Sequence, residues 1–334
     1  MADPDDDESE DGPSEPPFPC ALPAGLRPDW PVPRLAVLGD RGGALASIES
    51  GLVRLGLGSL SRLPPSSRRS VVGLLARTAK LIDRRRSAAA RVFLRQALGA
   101  SMPAPELERR VLQAWRHLLD VTLDSEAAPR LIPPDRFREH FDVELCEDAE
   151  DILTQKRGCI LATPHVGDWE TGAGILPWIG FDPFYAVAKP PRNRPLSVHL
   201  QWLREGRGVR LLPRRGAMQH APAVVQAGGM LGLLLDQRAR KRPILAPFFG
   251  RVARCDRSAA VLLKRLRAPI VFAACYRTAT PWRWRVEVPV VLWPKDFEGT
   301  SVEAITTRVN GELEKLILAA PDQYFWLHDR YRGT

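Results

Sequence analysis

The sequence predicts a mixed α/β fold, in which a central sheet is flanked by helices and is preceded by a helical region and a disordered tail. Three observations predict it. Short apolar segments alternate with helical patterns after residue 131, and apolar residues recur every three or four positions over 44–124. The first fifteen residues hold eight acids and no base. We therefore expect a tail over 1–43, a helical region over 44–130 and an α/β core over 131–334.

The composition is that of a globular chain with a strong positive charge. Of the 334 residues, 45% are apolar and 26% are charged, which argues against a disordered, collagenous or disulfide-scaffold protein. The net charge is +9, and arginine greatly outnumbers lysine among the 48 basic residues. Planar guanidinium groups suit phosphates and carboxylates, so an anionic partner is expected. A bias in genomic base composition is the alternative explanation for so much arginine.

The cysteines and the apolar segments indicate the compartment. Five cysteines are scattered without a C-x-x-C pair, which is typical of free thiols in a reducing compartment. The acidic, proline-rich amino terminus is the reverse of a signal peptide. The longest uncharged run, 216–235, is interrupted by polar residues and a glycine pair, so no membrane-spanning helix is expected.

Residues 1–43 combine the acidic run with repeated prolines, and this composition cannot bury enough surface to offset the entropy of ordering. The segment is predicted to be a mobile tail. It either keeps the protein soluble or shields the basic body until an anionic surface competes for it.

Helices are predicted next, with starts at Pro64-Pro65 and at Pro103. Five arginines crowd residues 84–95 beside an apolar triplet at 92–94. A basic amphipathic helix of this kind can lie on an anionic bilayer, with arginines at the headgroups and apolar side chains in the acyl boundary. The alternative is an ordinary helix with a solvated basic face.

The α/β core is predicted from short apolar runs that read as strands. They are Cys159–Ala162, Phe184–Ala188, Leu231–Leu235, Pro269–Cys275 and Val286–Leu292. Because active sites of open α/β sheets gather at the carboxyl ends of the strands, we expect functional residues immediately after these runs.

The first run is followed by a turn that carries a histidine. Residues 158–170 predict a buried strand, a turn and then a helix capped by Asp168. His165 lies in the turn and Glu170 in the first helical turn, so the two can converge although they are five residues apart. A carboxylate can hold the imidazole tautomer and make it a general base for a hydroxyl. The alternative is that both acids only cap the helix and His165 is a turn residue.

The segment Pro164–Glu170 resembles the H-x-x-x-x-D/E block of lysophospholipid-type acyltransferases, and specifically of the late lipid A acyltransferase family. Four further blocks resemble that family in the same order, and together they cover about residues 50–334. They are Leu203–Val209, Asp236-Gln237, Pro247–Gly250 and Ala320–Arg332. The sequence departs from the family pattern at Val252–Arg257 and at Asp329, and nothing matches the family's usual apolar membrane helix. These departures bear on the acceptor and on membrane attachment more than on the reaction.

The resemblance implies transfer of a fatty acyl chain from a thioester, on acyl carrier protein or coenzyme A, to a hydroxyl of a lipid A precursor or a related anionic lipid. No metal or redox cofactor belongs to that reaction. His165 would take the hydroxyl proton and Glu170 would hold His165. Arg204 would stabilise the oxyanion or bind a headgroup phosphate, and Asp236 and Arg330 would complete and brace the substrate site.

The resemblance also implies action at the inner membrane, and because nothing here matches the family's membrane helix, attachment to its cytoplasmic face is expected to be peripheral, through the arginine-rich helices. The alternative function is a non-enzymatic lipid-binding, membrane-associated protein of the same fold. Nucleic-acid binding rests on charge alone, without a binding motif or a series of stacking aromatics, and is not expected. The sequence does not indicate an oligomeric state.

Overall fold

The computed structural model describes residues 30–333, and it confirms the mixed α/β class. Residues 1–29 of the predicted tail lie outside the described residues. In the described part the chain forms ten α-helices and nine strands. The helices are α1 (Ala44–Leu60), α2 (Pro65–Ile82), α3 (Arg84–Leu98), α4 (Ala104–Leu131), α5 (Glu147–Thr154), α6 (Trp169–Ile175), α7 (Arg194–Glu205), α8 (Ala217–Gln226), α9 (Ser258–Leu266) and α10 (Val302–Ala319). The strands are β1 (Phe141–Leu145), β2 (Cys159–Thr163), β3 (Phe184–Ala188), β4 (Val209–Pro213), β5 (Met230–Leu234), β6 (Ile244–Phe248), β7 (Arg251–Cys255), β8 (Ile270–Arg277) and β9 (Trp284–Leu292).

Seven of the strands form one sheet in the order β1-β9-β8-β2-β5-β3-β4. The five strands from β8 to β4 are parallel, whereas β9 is antiparallel to β8 and β1 is parallel to β9. The carboxyl ends of the five parallel strands therefore lie at one edge. The remaining strands, β6 and β7, form a separate antiparallel hairpin.

The five apolar runs correspond to β2, β3, β5, β8 and β9, and the other four strands were not predicted. In β2, the residues Cys159–Ala162 are all buried, because a parallel strand with neighbours on both sides and helices on its faces reads as a continuous apolar run. In β6, buried and exposed residues alternate. A search for continuous apolar runs misses such a half-exposed strand.

The helical region and the α/β region share one hydrophobic core. Phe93 of α3 is buried and packs against rings of the β6–β7 hairpin and of the carboxyl-terminal segment. Its centroid lies 6.1 Å from that of Phe248, 5.8 Å from Tyr324 and 5.0 Å from Trp326. The apolar triplet at 92–94 is thus partly a core element, since Phe93 and Leu94 are buried and only Val92 is exposed.

Residues 30–41 differ from the expected mobile tail. The backbone N–H of Val32 donates to the Tyr185 hydroxyl at 3.1 Å, and that hydroxyl donates back to the Val32 carbonyl at 2.9 Å. Arg34 donates through Nε to the buried carboxylate of Glu205 at 2.8 Å. The expectation of mobility is therefore wrong for this part of the chain, because an extended, proline-containing segment can still bury apolar side chains and satisfy its backbone against a folded surface.

No helix within residues 30–333 combines the length and the apolar character needed to cross a bilayer.

Candidate active site

Two strand ends bring His165 and Asp236 together. In the register of the parallel pair, Thr163 at the end of β2 lies opposite Leu234 at the end of β5. His165 and Asp236 each follow two residues after those partners. Neighbouring parallel strands end at the same edge, so the side chains that follow them meet there.

The two side chains form a histidine–aspartate pair. His165 Nδ1 lies 2.7 Å from Asp236 Oδ1, and the His165 backbone N–H donates to Asp236 Oδ2 at 3.1 Å. The Tyr324 hydroxyl donates to Oδ2 at 2.9 Å. With an ionised Asp236, Nδ1 carries the proton and Nε2 is an acceptor, which Gln237 Nε2 approaches to 3.4 Å in a long hydrogen bond. Because the carboxylate accepts from three groups, the imidazole is held in one orientation.

The electrostatics favour an ionised Asp236. Burial by itself acts to raise the pKa of this carboxyl, but the attraction of His165 and the hydrogen bonds from His165 and Tyr324 outweigh it, so the pKa lies below its ordinary value. Burial and the neighbouring Asp236 raise the pKa of the Tyr324 phenol, which therefore stays a proton donor. The side chain of His165 is 18% exposed, against 1% for Asp236, so the imidazole remains open to a substrate.

Glu170 lies elsewhere than expected. Its carboxylate accepts two hydrogen bonds from Arg204, from Nε at 3.0 Å and from Nη2 at 2.6 Å. The partner of His165 Nδ1 is therefore Asp236, and His165 does not form the expected contact with the Glu170 carboxylate. Burial acts to raise the pKa of Glu170, but Arg204, Arg207 and His165 together lower it. Glu170 is thus a negative charge in the field of His165 without being its hydrogen-bond partner.

Arg207 is a second buried cation near Glu170, and the sequence did not single it out. The residue is 4% exposed, and its three guanidinium nitrogens have no hydrogen-bond partner within residues 30–333. A Cβ at Gly174 of α6 would lie 3.0 Å from the Arg207 Cβ, so this glycine allows the arginine to approach the helix. Burial lowers the pKa of Arg207, and the charges of Glu170 and Asp168 oppose that shift. The signal for Arg207 was its place in the Leu203–Val209 block.

The turn after β2 is rigid. Gly167 has φ +60°, and a Cβ there would lie 1.9 Å from the Cys275 carbonyl oxygen, so only glycine fits. The backbone N–H groups of Val166, Gly167 and Asp168 donate to backbone carbonyls at 2.6–2.8 Å. These three groups are therefore not free to stabilise an oxyanion.

Asp168 caps α6, as the sequence predicted. Its Oδ1 accepts the Thr171 backbone N–H at 3.1 Å. Its Oδ2 accepts from Arg277 Nη2 and from Trp284 Nε1, each at 3.1 Å. The turn that carries His165 is thereby tied to β8 and β9.

A small apolar cavity of about 60 Å³ lies under the turn, between α6 and the sheet. Among the side chains that line it are Leu161, Thr163, Val166, Trp169, Ala173, Leu176, Phe184, Ala186, Leu233 and Val286. Pockets for drug-sized ligands measure roughly 300–1,000 Å³, so the lining must open before this cavity can hold a long chain.

The other predicted residues are structural in their contacts. Arg330 is 1% exposed and donates to the Arg254 carbonyl at 2.9 Å and to Cys255 Sγ at 3.0 Å. It therefore braces the β6–β7 hairpin, where a substrate cannot reach it. His328 Nε2 accepts the Arg238 backbone N–H at 2.9 Å and so holds the loop after β5.

Within residues 30–333 no three histidine, cysteine, aspartate or glutamate side chains come close enough together to hold a metal ion. Four cysteines in the described part, at 146, 159, 255 and 275, are free thiols.

Comparison with known proteins gives the family. The model of the bacterial lipid A biosynthesis acyltransferase family matches residues 48–333, so the chain belongs to that family and is an acyltransferase by that membership. The chain is 25% identical over 233 residues to a lipid A biosynthesis palmitoleoyltransferase of Escherichia coli (strain K12), which covers 69% of this chain and 73% of that protein. A lipid A biosynthesis acyltransferase of Shigella flexneri is equally similar, with 25% identity and the same coverage. A phosphatidylinositol mannoside acyltransferase of Mycolicibacterium smegmatis (strain ATCC 700084 / mc(2)155) is 26% identical over 204 residues, 59% of this chain and 64% of that protein.

The protonation of His328 makes a stability prediction. Burial, Arg330 and His165 lower its pKa from 6.5 to about 4. Between pH 6.5 and pH 4 His328 binds a proton in the unfolded chain but stays neutral in the folded protein. The free energy of unfolding therefore carries the full contribution of neutral His328 above pH 6.5, and this contribution declines as the pH falls towards 4. When the pH is lowered from about 7 to about 5, the free energy of unfolding should decrease in both proteins. We expect the decrease to be roughly 2 kcal/mol smaller for His328→Gln than for the unsubstituted protein. Urea unfolding at a series of pH values measures it, with His220→Gln as the control. Parallel pH profiles for all three proteins would contradict the assignment.

Proposed function

We propose that the protein transfers a fatty acyl chain from the thioester of acyl carrier protein or coenzyme A to a hydroxyl of a lipid A precursor or a related anionic lipid. The observation that carries the proposal is the His165–Asp236 pair at the carboxyl ends of two parallel strands, within a chain of an acyltransferase family. In this proposal His165 is the general base, and no metal or redox cofactor takes part.

The proposed reaction uses the unprotonated Nε2 of His165, on which the acceptor hydroxyl replaces the long hydrogen bond from Gln237. As the acceptor hydroxyl oxygen attacks the thioester carbonyl carbon, Nε2 takes the hydroxyl proton and Asp236 stabilises the resulting imidazolium. The tetrahedral intermediate then collapses with cleavage of the carbon–sulfur bond. The imidazolium returns the proton to the departing thiolate, so that an ester and a thiol are the products.

The oxyanion of that intermediate requires a fixed donor. Because the N–H groups of Val166, Gly167 and Asp168 are engaged, a guanidinium is the better candidate. Arg204 bonds to Glu170 through Nε and Nη2, which leaves Nη1 for the substrate. Glu170 is then a positioning residue that orients Arg204.

The histidine–aspartate pair predicts a specific loss of rate. We expect His165→Gln to lower kcat by roughly a thousandfold or more, because the base is removed while a polar side chain remains. Asp236→Asn should lower kcat by about a hundredfold or more, since an amide cannot stabilise the imidazolium. Release of free thiol from an acyl thioester in the presence of an anionic glycolipid measures both rates.

Asp296→Asn, an exposed change in the turn after β9, is the control for that experiment. Full activity of His165→Gln would exclude this residue as the base. If the unsubstituted protein binds anionic lipid but releases no thiol from any acyl thioester, the non-enzymatic lipid-binding alternative holds.

The apolar cavity is proposed as the entrance of the acyl-chain path. It is lined by Trp169, whose ring centroid lies 5.3 Å from that of His165, so a chain that enters it begins beside the base. Apolar strand residues such as Leu233 also line the cavity. Its lining therefore decides how long a chain fits.

A larger side chain in the cavity should shorten the preferred chain. Ala173→Phe places a ring in the space beside α6, and we expect the optimum to shift to an acyl chain shorter by two or more carbons. Competition between acyl thioesters of different length, with the products analysed by mass spectrometry, measures the shift. Ala227→Phe, at an exposed position after α8, is the matched control. An unchanged length profile in a folded Ala173→Phe protein would place the chain elsewhere.

The proposed enzyme acts at the cytoplasmic face of the inner membrane, and the outer surface of the first helices supports contact with a membrane surface. Large apolar side chains lie exposed on α1 at intervals of three and four residues, and the end of α2 exposes two more before three consecutive arginines. They are Leu45, Ile48, Leu52, Leu55, Leu81 and Ile82. Apolar side chains flanked by arginines are typical of an interfacial helix.

This surface predicts binding to anionic vesicles. We expect the Leu52→Glu/Leu55→Glu double variant to bind phosphatidylglycerol-containing vesicles at least tenfold more weakly, because it loses apolar insertion and gains repulsion. Vesicle co-sedimentation measures the affinity. Leu318→Glu changes an exposed leucine of α10 and should leave binding unchanged. Equal binding of the double variant and the unsubstituted protein would remove α1 from the membrane contact.

A further inference from the structure

A large cleft lies between the amino-terminal helices and the β8–β9 turn. Its volume is about 830 Å³, and seven arginines line it against two aspartates. We call it the arginine cleft, after Arg62, Arg68, Arg69, Arg116, Arg130, Arg277 and Arg283. The lining of the cleft shares no residue with the histidine–aspartate pair or with the apolar cavity.

The carboxylates of the cleft do not occupy all of its donors. Asp124 accepts a hydrogen bond from Arg68 at 2.5 Å and forms an ion pair with Arg277 at 2.6 Å. Even so, Nε of Arg116 and Nε of Arg277 are buried without a hydrogen-bond partner in residues 30–333. A buried donor without a partner costs free energy, and a bound oxyanion would remove that cost.

The fold makes room for one of these arginines. Gly73 lies in the middle of α2, and a Cβ there would lie 2.9 Å from Arg116 Nη2. Glycine is unfavourable inside a helix, so its presence where the guanidinium passes fits a built position for Arg116. Arg116 extends from α4 towards the cleft, whereas Arg109, on the same helix, is exposed and lies outside the lining.

The cleft is coupled to the turn that carries His165. Arg277, at the carboxyl end of β8, lines the cleft and donates to Asp168, the cap of α6. Asp168 follows three residues after His165. Ser61, the residue that follows α1, also lines the cleft. The cleft is thus connected to α1 through Ser61 and to the turn of His165 through Arg277.

We propose that the arginine cleft binds the phosphate of the acceptor's headgroup, and this inference rests on the proposed function. Arginine forks bind phosphate oxygens in pairs, and several converge here. Trp282 adds a ring that can pack against a sugar, and Arg68 lies 5.7 Å from its centroid. A lipid whose tails rest at α1 would bring its headgroup to this cleft. The acyl donor also carries phosphate, so the experiment has to separate the two sources.

The test uses the full chain and the Arg69→Gln/Arg116→Gln double variant. We expect KM for a phosphorylated glycolipid acceptor to rise at least tenfold, whereas KM for the same lipid after phosphatase treatment and KM for the acyl thioester stay within twofold. Arg109→Gln is the matched control on α4. Titration with inorganic pyrophosphate should show the same tenfold loss of affinity, and Arg116→Lys should fall between, since it keeps the charge but loses the fork.

Three outcomes overturn the proposal. If the double variant has the same KM as the unsubstituted protein for the phosphorylated acceptor, as well as for the phosphatase-treated acceptor, then no acceptor phosphate binds in the cleft. A rise in KM for the thioester alone would assign the cleft to the donor. Unchanged pyrophosphate affinity would remove phosphate altogether. The pyrophosphate titration needs no turnover. If the protein transfers no acyl chain, the proposed function is refuted, and the titration still tests phosphate binding in the cleft. If a thermal melt shows that the double variant is unfolded, the pyrophosphate affinity of Arg116→Lys tests the proposal instead.

Discussion

The parallel pairing of β2 with β5 is the constraint on which the candidate site depends. It sets Thr163 opposite Leu234, and the two residues that follow each strand place an imidazole against a carboxylate at 2.7 Å. No local sequence pattern predicts this contact, since the two residues are separated by 71 positions. Other residues of the site support this contact. Tyr324 donates a hydrogen bond to the second oxygen of Asp236, and Gly167 lets the turn of His165 approach β8.

Around that pair the protein places arginines and acids in an unequal balance. Glu170 holds Arg204, and Asp168 with Asp124 holds Arg277, yet guanidinium nitrogens of Arg207, Arg116 and Arg277 remain buried without hydrogen bonds in residues 30–333. Buried donors are usually satisfied, so unpaired guanidinium nitrogens of this kind call for an explanation, and a bound ligand is one. In the proposed function, substrates with phosphate and carbonyl oxygens would supply the missing acceptors, and this would link the electrostatics of the fold to the proposed chemistry.

Much of the fold could be predicted because the buried parallel strands are continuous apolar runs. The runs at Cys159–Ala162 and Phe184–Ala188 match β2 and β3. Helix α2 begins at Pro65 and helix α4 begins directly after Pro103, as the prolines predict. The alternating strands β6 and β7 were missed, since half of their side chains face away from the core. The ordered segment 30–41 was missed for a different reason: its composition is that of a tail, and only the surface of α7 and β3 supplies the partners for Val32 and Arg34.

By itself, the sequence determined the α/β class, the turn that presents His165, the cap at Asp168 and the membership of an acyltransferase family through blocks in a fixed order. It named Glu170 as the partner of His165, because nearness along the chain was the available guide. Only the tertiary structure decided that Asp236 holds the imidazole, that Glu170 holds Arg204 and that Arg330 is sealed under the β6–β7 hairpin. The physical reason is that hydrogen-bond partners are chosen by strand order and helix packing, which bring distant residues within 3 Å and turn near ones apart.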